Sequence, residues 1–131
     1  MNHEQPSLTP EQRANLAKLA DYLVTVPQSA FDMADYQQKT DCGTVACAVG
    51  HGPEAGVQKR DCESWNQYSD RVFAPQFESW GWCFSDHWSV ADNTPQGAAA
   101  RIRYMLEHGV PSNWRDQMLG NAPLSYINKG H

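Results

Sequence analysis

The sequence predicts a mainly α-helical protein folded as one small domain over residues 1–131, with long aromatic-rich connections and at most a minor β element. Three observations carry that prediction. Thr9-Pro10-Glu11-Gln12 and Thr94-Pro95 each set a threonine cap before a proline suited to the first helical position. Apolar residues then recur at helical spacing: Leu16, Leu19, Ala20 and Leu23 after the first start, Ala98, Ile102, Met105 and Leu106 after the second. With 131 residues, 40% hydrophobic and 19% charged, the chain can close a single core without metal or disulfide staples.

Residues 1–8 precede the first start signal and are expected to be loosely held. The first helix opens at Pro10, with Thr9 and Gln12 as a capping box, and is over by Pro27. Phe31–Tyr36 reads as a helical turn or a tight loop with aromatic anchors. The small-residue run Cys42–Gly50 reads as a second helix, with Asp41 as N-cap and Gly50 as its stop. Its alanine, valine and cysteine side chains would let it press closely on neighbours. Gly52–Gly56 is a loop, after which Ser64 caps a helix with an aromatic face of Trp65, Tyr68, Val72 and Phe73, closed by Pro75. Trp80–Phe84 fits a short strand or a 3₁₀ turn equally. The last long helix starts at Thr94 and stops at Gly109, with Pro111 beyond it. A short helix around Trp114–Leu119 follows, and 121–131 is expected to be a loosely held tail.

Fifteen acidic against ten basic side chains leave a net charge of −5. That balance argues against a DNA or RNA polymer as partner, since such binding draws its affinity from neutralised phosphates. A small phosphorylated ligand needs only two or three local cations. Residues 1–7 contain neither a basic nor an apolar region of a secretory signal, and no apolar run approaches the ~18 residues of a membrane span. The expected compartment is the cytoplasm, without membrane association, and there the four cysteines would be free thiols. No Cys-x-x-Cys pair is present. Cys47, His51, Cys83 and His87 could in principle gather round a metal, but their spacing does not favour it, and no metal or cofactor is expected.

Phe31-Asp32-Met33, Cys42-Gly43-Thr44-Val45-Ala46-Cys47-Ala48-Val49-Gly50-His51 and Asp92-Asn93-Thr94-Pro95-Gln96-Gly97-Ala98-Ala99, in this order, resemble a family of small proteins met mainly in bacteriophage and prophage genomes. The resemblance spans roughly residues 10 to 111. It implies a phage or mobile-element accessory protein and carries no catalytic assignment. Phage proteins of this size often counter host immunity, and one class acts as a sponge that binds a nucleotide-derived immune signal. Such proteins often form homo-oligomers, which would let two protomers enclose one ligand.

Five tryptophans, three of them at 80, 82 and 88, suit either a core short of leucine or a pocket that stacks a nucleobase. Arg101, Tyr104 and His108 share a helical face read as lying opposite much of the apolar one. Arg101 could there grip a phosphate beside a stacking ring. Lys59 and Arg60 would add positive charge, and Arg103 is spaced to pair with Glu107. The expected ligand site is therefore Trp80, Trp82, Trp88, Arg101, Tyr104 and His51, binding a small nucleotide-like molecule and sequestering it unchanged. Two other functions fit the residues. One is a thiol hydrolase using Cys42, activated at a helix N-terminus, with His51 or His87 as base. Against it, Asp41 opposes thiolate formation. The other is a protein that blocks a host enzyme with an acidic, aromatic surface. Ser85, Asp86, His87 and Ser89 contain the groups of a hydrolase triad, although sequence neighbours rarely aim at one point.

Overall fold

A computed structural model describes residues 3–34, 38–40, 43–74 and 77–127. In chain order the elements are β1 (His3–Glu4), α1 (Pro10–Leu23), a 3₁₀ turn at Gln28–Ala30, β2 (Gln38–Thr40), β3 (Gly43–Val45) and a 3₁₀ turn at Val49–His51. Then come α2 (Trp65–Val72), α3 (Phe77–Phe84), α4 (Trp88–Ala91), α5 (Pro95–His108), β4 (Val110–Pro111) and α6 (Trp114–Met118). The protein is mainly helical, as its sequence predicts.

Three helices begin at side-chain caps. Thr9 Oγ1 accepts from the Gln12 amide and Gln12 Oε1 accepts from the Thr9 amide, both at 3.0 Å. Ser64 and Gln67 repeat this reciprocal box at 2.9 and 3.1 Å on α2. Thr94 Oγ1 accepts from Gly97 N at 2.9 Å on α5. Each bond satisfies an N–H of the first turn that has no helical acceptor.

The central packing is α1 against α5, with α3 on α5 and α2 on α1. Leu16, Leu19, Ala20 and Leu23 of α1 and Ala98, Ile102 and Met105 of α5 are all fully enclosed, while Leu106 is half-buried. Each enclosed leucine contributes about 1.5–3 kcal/mol of burial. Among the described residues no helix is long and apolar enough to cross a membrane.

The helix expected over 42–50 does not form. Gly43–Val45 pairs antiparallel with Gln38–Thr40, Lys39 standing opposite Thr44. Ala46 then bridges Phe31 in parallel, and a single 3₁₀ turn covers Val49–His51. Glycine followed by the β-branched pair Thr44-Val45 favours extended backbone over helix. The small residues do press closely on the core, Ala46, Ala48 and Val49 being fully enclosed, but from a bridge and a turn. Asp41, Cys42, Tyr36 and Pro75 lie outside the described residues.

Trp80–Phe84 is neither strand nor 3₁₀ turn but the second half of α3. That helix is buried on most sides, so it lacks the polar face that marks a helix in sequence. Gly81 is required there, because a Cβ would run into the Trp114 ring of α6. Both segments expected to be loosely held make defined contacts. His3 and Glu4 pair with Pro111 and Val110, and Tyr126 of the C-terminal segment is buried.

Candidate ligand-binding sites

The tryptophan cluster divides. Trp82 and Trp88 are fully enclosed, their rings edge to face at 5.5 Å and 85°. Each indole N–H has a backbone acceptor: Trp82 Nε1 donates to Arg101 O at 2.8 Å and Trp88 Nε1 to Gly81 O at 3.0 Å. They are core residues, as tryptophan becomes when its one polar atom is satisfied. Trp80 is only half-buried, and its Nε1 donates to Ser69 Oγ at 2.8 Å.

Arg101 is not on an outward face. Its side chain is fully enclosed, because three residues after Ala98 and four before Met105 place it on the inner stripe of α5. The guanidinium lies over Trp88 at 4.2 Å and over Tyr126 at 5.2 Å. Its Nη1 donates to Tyr126 Oη at 2.9 Å and stands 3.4 Å from Asp92 Oδ2. Tyr126 in turn donates to Asp92 Oδ2 at 2.7 Å. Burial draws the Arg101 pKa down against the pull of Tyr126 and Asp92, and burial pushes the Tyr126 phenol up. The arginine expected to hold a phosphate is thus the cationic centre of a buried network.

Tyr104 is half-buried, its hydroxyl 2.7 Å from His3 Nε2 and its ring 4.8 Å from His108. Arg103 pairs with Asp21 of α1 at 2.9 Å rather than with Glu107. Lys59 lies 5.2 Å over the Trp65 ring. His51 is buried, stacked 6.2 Å from Phe31 at 7°, with Nε2 2.8 Å from Ala30 O. A carbonyl can only accept, so Nε2 donates, while the buried Nδ1 has no hydrogen-bond partner.

Two of the described cysteines are buried. Burial pushes the Cys47 thiol up to about 11 and the Cys83 thiol up to about 12, so neither is a thiolate at neutral pH. Cys62 is an exposed free thiol, and Cys42, the nucleophile of the hydrolase reading, lies outside the described residues. Asp86 Oδ1 and Ser85 Oγ approach the same ring nitrogen of His87, Nδ1, at 3.4 and 3.5 Å. A triad needs the carboxylate and the hydroxyl on opposite nitrogens. Among the described residues no group of three or more His, Cys, Asp and Glu could hold a metal ion.

A hollow beside α3 has an aromatic wall. It measures about 280 Å³ and is lined by Met33, Ala34, Cys47, Asn66, Trp80, Phe84 and Asp86. Trp80 and Phe84 meet at 6.2 Å and 64°, presenting neighbouring rings one helical turn apart on α3. Opposite them stand Met33 and Cys47, brought together by the bridge in which Asp32 N donates to Ala46 O at 3.0 Å. Only Trp80 among the expected ligand residues borders this hollow. The rest of the lining has no periodic signal in the sequence: it arises where Met33 and Cys47, on two separate segments, and Asn66 of α2 converge on Trp80 and Phe84 of α3.

Asn93 sets that rim. Its Oδ1 accepts from Met33 N at 2.7 Å and its Nδ2 donates to Asp32 Oδ1 at 3.2 Å, tying the third motif to the first. The chain matches no protein-family model, and it shows no match to a curated protein or to a solved structure.

Proposed function

We propose that this is a non-enzymatic accessory protein of phage type that sequesters a small nucleotide-derived ligand in the host cytoplasm, and that the ring system of that ligand enters the hollow beside Trp80. The observation that supports this reading is the wall of Trp80, Phe84 and Met33 facing two polar side chains, Asn66 and Asp86. A flat heterocycle can stack on the tryptophan, while an amide and a carboxylate can read its edge.

The lining narrows the chemistry. It holds one carboxylate and no cation, which favours a neutral or positively charged ring over a phosphate. At about 280 Å³ the hollow lies at the small end of ligand sites, room for one ring system rather than a whole dinucleotide. Phosphates of a larger signal would extend outside it, and a second protomer could then cover them. The thiol-hydrolase alternative rests on Cys42, which lies outside the described residues.

The test is equilibrium dialysis against nucleosides, cyclic nucleotides and ADP-ribose, followed by denaturation and identification of what is released. An unmodified ligand supports sequestration, and a cleaved product moves the protein to the enzymes. Base–aromatic stacking is worth about 1–3 kcal/mol, so Trp80→Ala should weaken binding roughly 5- to 150-fold. Unchanged affinity in a folded Trp80→Ala variant rejects this site.

A further inference from the structure

We infer that the C-terminal segment around Tyr126 is a removable plug, and that the cage it fills, walled by Trp82, Trp88 and the Arg101–Asp92 pair, is a second binding site for a planar ring carrying a hydrogen-bond donor beside an acceptor. This site is separate from the hollow at Trp80 and does not depend on it.

Tyr126 sits in the cage as a ligand would. Its ring stands edge to face against Trp82 at 5.5 Å and Trp88 at 6.0 Å, and under the Arg101 guanidinium at 5.2 Å. Its hydroxyl donates to Asp92 Oδ2 and accepts from Arg101 Nη1, which defines the donor–acceptor edge the cage reads.

The two tryptophans and Asp92 are held independently of the plug. Both indole N–H groups bond to backbone carbonyls of α3 and α5, the tryptophans pack on each other, and Thr94 Oγ1 donates to Asp92 Oδ1 at 2.7 Å. The segment itself is held by few contacts besides Tyr126: Asn121 N donates to Asp116 O at 2.7 Å, Leu124 packs half-buried on the core, and Ser125 N and Oγ both donate to Gln117 Oε1 at 2.9 and 3.1 Å. Asn121, Pro123 and Ile127 are exposed. The segment leaves α6 through Gly120, a left-handed position at φ 81° with open space around it.

The occupancy is also incomplete. With the tyrosine seated, Arg101 Nε and Nη2 are buried and have no partner. A phenol oxygen reaches one N–H of that fork, whereas an oxygen with both lone pairs free, such as the carbonyl of a heterocyclic lactam, could accept from two. The lactam N–H beside it would take over the bond to Asp92.

Two measurements test this. Hydrogen exchange of the wild-type protein should show the amides of Ser125 and Tyr126 opening on the order of 100-fold faster than those of Ile102 and Met105 in α5, as a locally released segment does. Equal protection would make Tyr126 an ordinary core residue and overturn the inference. In Tyr126→Gly, 4-methylphenol should raise the melting temperature at millimolar concentration, while toluene, which lacks the hydroxyl, should act at least about 10-fold more weakly. The wild type should respond to neither, because its own tyrosine competes as a tethered ligand. No stabilisation of folded Tyr126→Gly, an equal effect of toluene, or an equal response of the wild type would each overturn it. If Tyr126→Gly does not fold, exchange in the wild type decides alone.

Discussion

Asp92→Asn should destabilise the protein by about 3–5 kcal/mol, although it only changes one oxygen to nitrogen. The magnitude comes from Arg101. That guanidinium is fully enclosed, and Asp92, 3.4 Å from Nη1 and 14% exposed, is the carboxylate paired with it. Taking away the negative charge leaves an arginine that cannot deprotonate inside the core. The amide also turns a donor toward either Thr94 or Tyr126, both of which now donate to the carboxylate. Gly97 leaves no slack, since even a Cβ there would collide with the Asp92 side chain. Urea unfolding followed by tryptophan fluorescence measures the loss. A companion Arg101→Met variant removes the charge and keeps the volume. The double variant should be more stable than the sum of the single losses predicts, by at least about 1 kcal/mol, because the two groups are coupled. A loss below about 1 kcal/mol in Asp92→Asn, with additive behaviour in the double variant, would refute the account of a charge-compensated core.

Thr94→Ala should cost about 0.5–2 kcal/mol in chemical unfolding and leave ligand affinity unchanged, because Thr94 caps α5 through Gly97 N. Lost binding at unchanged stability would make it a ligand contact. Alkaline pH should weaken the fold through Cys47: its folded-state pKa of about 11 stands above the ~8.5 of an unfolded thiol, so its contribution is intact below that value and drains away as pH rises toward 11. Comparing the pH–stability curve with that of Cys47→Ala isolates the effect, and identical slopes between pH 8.5 and 11 would reject it.

What the sequence makes legible is local. Thr9 with Gln12, Ser64 with Gln67 and Thr94 with Gly97 are contacts three residues apart, and all three caps form where they are written. The misread segments are governed by partners far along the chain. Gly43–Val45 becomes a strand because Gln38–Thr40 supplies its partner and Phe31 bridges the next residue, Ala46, and small residues look alike in a helix and in a buried turn. The second half of α3 hides its period because Ser79, Gly81, Trp82, Cys83 and Phe84 are all buried. Arg101 was legible in principle, since its spacing from Ala98 and Met105 puts it on the inner stripe. A charged side chain reads as outward-facing, and the Tyr126 that receives this one lies 25 residues away.

The motif residues acquire a physical meaning once these contacts are known. Asp92, Thr94 and Gly97 form one unit: the carboxylate accepts from Thr94 and Tyr126, and Gly97 is the only residue type that leaves it room. Asn93 between them turns the other way, accepting from Met33 N, donating to Asp32 and receiving Gln28 Nε2 on its carbonyl at 2.7 Å. The three-residue connection Asp92-Asn93-Thr94 therefore faces both candidate sites, closing the Tyr126 cage with Asp92 and holding the Met33 rim of the Trp80 hollow with Asn93. These side chains fix where Met33 and Arg101 stand, and the proposed binding depends on such placement, because affinity is lost when the groups that meet the ligand must be ordered at the moment of binding.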